Sequence, residues 1–254
     1  MATVAALHVA PVKGLRLVRV DAVDVDAHGA LGDRAFHLRE ADGTIASTQR
    51  NGRLLQVVPE WDPRRGELAL AFPDGTRVAG PVRRGAPVTT AFWDRRPVAG
   101  RVVDGPFGAA LSEHAGRPLA LVVHDERESG GDVQPMSLMS NASLRALGAA
   151  VGGDLDARRF RMTITIDGAP PWEEHGWVGR DVRVGGAVLR VDSLCERCVV
   201  TTRDPDSGRT DAPVLRALAD LRGKDDVTFG VWCDVAVPGR VRVGDPAVLA
   251  PSGR

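Results

Sequence analysis

The chain carries no charge excess of either sign: 33 Lys and Arg balance 33 Asp and Glu. That excludes nucleic-acid binding by bulk charge and excludes an acidic solvating tail, so any anion site must be local. Long apolar runs are missing too. No stretch approaches the roughly 20 apolar residues that a helix needs to span a bilayer, and no membrane partner is expected. The first residues, MATVAALHVAPVKG, have neither a basic leader nor an extended apolar core, and they read as a first strand rather than a signal peptide. Cysteine is scarce. Three is an odd number, which argues against a secreted disulfide framework and makes the cytoplasm the expected compartment. Aromatic residues are only 4% of the chain.

What is present is chain length, turn formers and alternation. The 254 residues suffice for one large domain or two small ones with a core that needs no staples. LRLVRVDAVDVDAHG, RFRMTITIDG, DVRVGGAVLRVDSL and RVRVGDPAVLA alternate apolar and polar residues, the period of half-buried strands. DGT, DPRRG, PDGT, PDSG and PGR separate them as turns. Three helices are expected, over 105–116, 140–153 and 210–223. The second has a Ser/Asn start and a double-glycine stop, the third a Thr/Asp start with a proline in its first turn. Strands dominate and do not alternate regularly with helices. The fold class is therefore mainly β (α+β), a β-barrel or sandwich with a few packed helices, and not a doubly wound sheet. A soft boundary is expected over 94–106.

The chemistry concentrates in CERCVVTTRDPDSGRTD, which begins at Cys195. A structural zinc site would need four ligands, and neither a second CxxC nor a histidine lies near Cys233 in sequence. A thioredoxin-like pair needs a strand-to-helix junction, and VVTT reads as strand. Two inert buried thiols are a third reading. A single soft thiolate on a redox metal is the fourth, with Arg197 lowering its pKa and attracting an anion. Spacing alone leaves all four open. Asp204 and Asp206 read as turn chemistry or as supporting groups. Cys233, within FGVWCDVAV, reads as core.

PVKGLRLVRVDAVDVDAHGALGDRAFHL, STQRNGRLL, RCVVTTRDPDSG and FGVWCDVAVPGRVRVGDPAVL follow one another along nearly the whole chain. In that order they resemble the MOSC domain family, and most closely its amidoxime-reducing group. The resemblance implies a MOSC-type β-barrel over 101–254 behind an N-terminal β-barrel-like domain over 1–100. It implies a molybdenum cofactor, with Cys198 as the catalytic metal ligand and Cys195 as its neighbour. By the family's pattern the cofactor contacts fall on Lys13, Arg34, Ser140, Arg161, Thr163 and Arg197. Two positions depart from that pattern: Thr163 stands where the family has asparagine, and Gly14 where a serine often follows the lysine. The implied activity is reduction of a small-molecule N-hydroxylated substrate. Cys195 and Cys233 cannot complete a Cys₄ iron–sulfur site, so a separate electron-donor reductase, a flavin or iron–sulfur protein, is expected. The alternative implied by the family is sulfur transfer through a persulfide on Cys198.

Overall fold

The computed structural model describes residues 1–93, 96–125 and 133–250; the first two residues of the expected 94–106 boundary lie outside them. Among the described residues there are eighteen strands and three α-helices. In chain order they are β1 (Ala2–Val9), β2 (Val18–Val20), β3 (Ala22–Asp26), β4 (Gly29–Ala30), β5 (Phe36–Glu40), β6 (Val58–Asp62), β7 (Glu67–Ala71), β8 (Arg77–Pro81), β9 (Arg83–Ala91), β10 (Pro97–Asp104), α1 (Phe107–Ala115), β11 (Leu119–His124), β12 (Met136–Ser140), α2 (Asn141–Val151), β13 (Ile164–Asp167), β14 (Asp181–Val184), β15 (Ala187–Glu196), α3 (Val214–Arg222), β16 (Thr228–Val237), β17 (Gly239–Arg242) and β18 (Pro246–Leu249). The mainly β expectation holds.

Seven strands close a barrel in the order β13-β12-β16-β15-β14-β18-β1, because β1 pairs back onto β13. Closure removes the unpaired edges that an open sheet would present. The pairing of β12 with β13 is parallel, and parallel neighbours need a crossover of a dozen or more residues. That crossover contains α2. Its first turn is capped by Ser140, whose Oγ accepts from the Ser143 N–H at 3.0 Å, and it ends on Gly152 in the left-handed region. Val4, Leu138, Ile164, Ile166, Val182, Leu189 and Val231 fill the interior. Ile164, Ile166, Val182 and Leu189 are apolar members of the alternating runs, facing inward as period two requires.

A second core gathers Phe36, Leu38, Leu54, Leu70, Phe107, Leu111 and Leu121 between the sheet β5-β11-β10-β9, the sheet β6-β7-β8 and α1. The sheets do not divide at residue 100. β1 belongs to the barrel, while β10 and β11 pair with β9 and β5. The chain thus crosses between the two units more than once, and the seam between them is held from both sides.

The expected helices over 105–116, 140–153 and 210–223 are α1, α2 and α3, each a little shorter. Two strand readings fail locally. The VVTT segment is a 3-10 turn, Val199–Thr202, entered from Cys198. The start of RFRMTITIDG is also a 3-10 turn, Ala157–Phe160, capped by Asp156 and closed by Arg161 in the left-handed region at φ 55°. Arg161 therefore sits on a turn and not on an alternating strand.

Candidate functional site

A cavity of about 400 Å³ opens at the seam. One wall comes from the N-terminal unit: Lys13, Gly14, Arg34, residues 46–49 and Trp93. The other comes from the barrel side: Val133, residues 159–161, Glu196, Arg197, Cys198, Val200, Thr201 and Trp232. Cys198 is the exposed cysteine of the three. It begins the turn after β15, and its carbonyl accepts from the Thr201 N–H at 3.1 Å and from Thr201 Oγ1 at 3.0 Å. Those two bonds fix the backbone and leave the thiol facing the cavity.

Lys13 is held by its backbone, whose N–H donates to the Phe36 carbonyl at 2.8 Å. Its ammonium lies 5.5 Å over the Phe92 ring, a cation–π contact. Behind it, His37 Nδ1 and His124 Nε2 are 3.3 Å apart, and His37 Nε2 is 2.7 Å from Thr90 Oγ1. Burial, then the neighbouring His124, pushes His37 down to about 3. Burial, then Lys13, pushes His124 down to about 4. Both imidazoles are neutral at pH 7, which lets them stand beside a buried ammonium.

Arg34 adopts φ 48°. Its guanidinium pairs with Asp33 and donates to the Arg161 carbonyl at 3.2 Å. It therefore lines the cavity while also tying the Arg161 turn to the N-terminal unit. Arg197 behaves differently from its expected role beside the metal ligand. It lines the cavity, but its guanidinium turns inward to Cys195 Sγ and the Phe160 carbonyl, and lies 5.7 Å over the Phe160 ring. Its sulfur partner is Cys195, not Cys198. Cys233 is core, and burial, then nearby carboxylates, pushes its thiol up to about 12.

Two of the expected contacts do not line the cavity. Ser140 is fully buried at the cap of α2, where its N–H donates to Glu174 Oε1 at 3.2 Å. Thr163 is buried between strands, its N–H donating to Ser137 Oγ at 3.0 Å and its carbonyl accepting from His8. Both sit one layer away because their positions face barrel neighbours. Lys13, Arg34, Arg161, Arg197 and Cys198 do converge. Sequence reasoning missed Arg159, Ser47, Thr48, Gln49, Glu196, Trp93 and Trp232. The STQ run and the paired arginines of RRFR were the signals at hand.

Asp204 and Asp206 are clasp residues. Asp204 accepts from the Ser207 N–H at 2.7 Å, a bond that holds its carboxyl below the usual range. Asp206 pairs with Arg158 at 2.7 Å and with Arg16 at 2.9 Å, and the Arg158 bonds hold it low. Arg203 donates to the Gly208 and Gln49 carbonyls, both at 2.8 Å. The loop that follows Cys198 is thereby fastened to the opposite wall.

Among the described residues no three His, Cys, Asp or Glu side chains gather as a metal cage. A metal at Cys198 would draw its other ligands from a bound group. The donor set fits such a group if it is anionic. Lys13, Arg34, Arg159, Arg161 and Arg197 all line the cavity, and Nε of both Arg159 and Arg197 is buried with no protein partner. Buried donors without partners are costly in a finished protein, and basic forks suit phosphate oxygens. Among the described residues no helix is long and apolar enough to cross a membrane.

Comparison with known proteins bears on the same residues. The model of the MOSC N-terminal beta barrel domain matches residues 1–100 and that of the MOSC domain matches residues 125–248. Mitochondrial amidoxime-reducing component 1 of Homo sapiens is 26% identical over 286 residues, covering 97% of this chain and 82% of that protein. Its Mus musculus counterpart is 33% identical over 129 residues, covering 46% of this chain and 37% of that protein. Molybdenum cofactor sulfurase of Caenorhabditis elegans is 28% identical over 116 residues, covering 45% of this chain and 16% of that protein. With both models matched in order, the chain belongs to the MOSC family, a MOSC N-terminal β-barrel domain followed by a MOSC domain.

Proposed function

We propose that the chain is a molybdenum-cofactor-dependent oxidoreductase that reduces N-hydroxylated small molecules, with electrons from a separate flavin or iron–sulfur reductase. The observation that carries this reading is one exposed thiol, Cys198, at the wall of a cavity with five basic side chains. What the cofactor supplies when bound is two-electron redox chemistry at molybdenum. The net reaction takes two electrons and two protons, converts N–OH to N–H and releases water.

The protein's part is binding, orientation and exclusion of water. Cys198 holds the metal through its thiolate. Lys13, Arg34, Arg159 and Arg161 neutralise the cofactor's phosphate, with Ser47 and Thr48 as further donors. Arg197 acts from the floor: braced by Cys195 and Phe160, it fixes the backbone segment that carries Cys198. Phe160 and Trp232 close the apolar side. Ser140 and Thr163 stay structural, one capping α2 and the other joining strands. A cytoplasmic site of action is part of the proposal, and fractionation of the source cell tests it.

The direct test is turnover. Protein made in a cofactor-producing host should reduce a model amidoxime with a chemical electron donor, and Cys198→Ser protein should not. The exposed Cys198 also suits sulfur transfer, as does the likeness to a protein named molybdenum cofactor sulfurase. A persulfide on Cys198 in metal-free, inactive protein would favour that reading instead.

A further inference from the structure

The segment after the Cys198 turn is a loop closed on itself. The Asp204 N–H donates to the Arg209 carbonyl and the Gly208 N–H to the Asp204 carbonyl, both at 2.8 Å. Asp204 Oδ1 accepts from the Ser207 N–H and from Ser207 Oγ, both at 2.7 Å. At the base Arg203 and Thr210 pair as an isolated antiparallel bridge. These bonds lie within the loop, so it keeps its shape when its outside contacts break. The outside contacts are few and polar. Asp206 meets Arg16 at 2.9 Å and Arg158 of the 3-10 turn Ala157–Phe160 at 2.7 Å. Gln56 Nε2 donates to the Ser207 carbonyl at 3.1 Å, and Arg16 Nε is itself tied to the Leu55 carbonyl at 3.1 Å. The Asp206 side chain is 55% exposed, and exposed ion pairs hold weakly. Only Pro205 and Gly208 of residues 204–209 are buried, so little apolar surface resists opening.

A small void lies under this loop, lined by Arg16, Arg158, Arg203 and Pro205. At about 10 Å³ it has room for a single water while the loop is down. It shares Arg159, Arg161 and Val200 with the seam cavity. The loop therefore covers the outer side of the same arginine wall that faces the cavity.

We propose that residues 204–209 are a latch over the arginine wall of the seam cavity, and that Asp206, clasped by Arg16 and Arg158, sets how fast a phosphate-bearing ligand enters and leaves. The inference takes the ligand's chemistry from the proposed function above. With the clasp made, the loop seals the wall behind Arg159 and Arg161. With the clasp broken, the loop swings as one body about Arg203 and Thr210, and both arginines gain a second face open to water. Asp206 touches no ligand in this scheme; it acts through the position of the loop.

The test uses inorganic pyrophosphate as probe on the full, metal-free chain. Binding is followed by stopped-flow tryptophan fluorescence, since Trp93 and Trp232 line the cavity. A latch raises entry and exit together, whereas a residue that only shapes the wall changes affinity. Asp206→Asn should therefore speed association and dissociation alike by about fivefold, the upper range for one exposed charge pair, with a nearly unchanged dissociation constant. Arg16→Gln should do the same to a smaller extent, and added salt should shrink the gap from wild type. Arg240→Gln is the control: it breaks the 2.7 Å pair with Asp24 on β17, in neither void, and should leave both rates alone. Unchanged rates in Asp206→Asn, a dissociation rate that rises alone with a matching loss of affinity, or no pyrophosphate binding by wild type overturns the proposal. Protein that never takes up molybdenum but shows the paired rate change ends the proposed function and keeps the latch. Loaded, active protein with unchanged rates ends only the latch.

Discussion

Gly208 and Gly52 meet backbone to backbone where the loop after Cys198 lands on the N-terminal unit. Gly208 has φ +72°, and a Cβ added there would collide with the Gly52 carbonyl. Gly208→Ala therefore has two costs. Holding alanine in the left-handed region costs about 1–2 kcal/mol, and forcing a methyl group against rigid backbone costs about 1–3 kcal/mol more. Gly75→Ala is the control, because Gly75 has φ +89° and nothing within 4 Å of the added carbon; it bears only the first cost, about 1–2 kcal/mol. Urea unfolding followed by the fluorescence of the five tryptophans reads both. Gly208→Ala should lower the midpoint clearly more than Gly75→Ala at equal slope. It should also loosen the cavity, because Arg203 bridges Gly208 to Gln49. Equal losses in the two variants would refute the idea that this contact sets the seam.

Four histidines make stability pH-dependent, and burial holds His8 below its usual value too. His37, His124 and His175 are pushed from 6.5 to about 3, about 4 and about 4, chiefly by burial. The unfolded chain then binds more protons than the native one below pH 6.5, so stability should fall as pH drops from 6.5 toward 4, by up to about 1.4 kcal/mol per pH unit for each group. Urea midpoints that stay flat over that range would contradict it. Asp211→Asn should destabilise by about 1–2 kcal/mol, less than a fully buried pair because Asp211 is 43% exposed while Arg159 is 7% exposed. The urea midpoint checks this, and no shift would mean that Arg159 finds another partner.

Much of the barrel was legible because period two survives wherever one strand face is buried. The alternating runs of 181–194 and 240–250 became β14, β15, β17 and β18, and the helix caps at Ser140 and Gly152 were readable from their residue types. The interleaving of the two units was not, because β1 with β13 and β5 with β11 pair residues far apart in sequence. Arg161 looked like a strand residue. Asp156, capping the 3-10 turn ahead of it, changed that local geometry. Ser140 and Thr163 carried the right chemistry for a polar contact, yet each spends it on its own packing layer. Glu196, beside Arg197 between two cysteines, was passed over because a lone carboxylate has no spacing signal of its own.

The account's central claim is that Cys198 holds a molybdenum cofactor in the seam cavity. The most direct measurement is molybdenum content per chain, by elemental analysis, for wild type, Cys198→Ser and Cys195→Ser produced in the same cofactor-making host. The account predicts near-stoichiometric metal in wild type, with a thiolate signature in its spectrum that Cys198→Ser loses and Cys195→Ser keeps. Metal-free wild type, or a thiolate signature that survives Cys198→Ser, would contradict it.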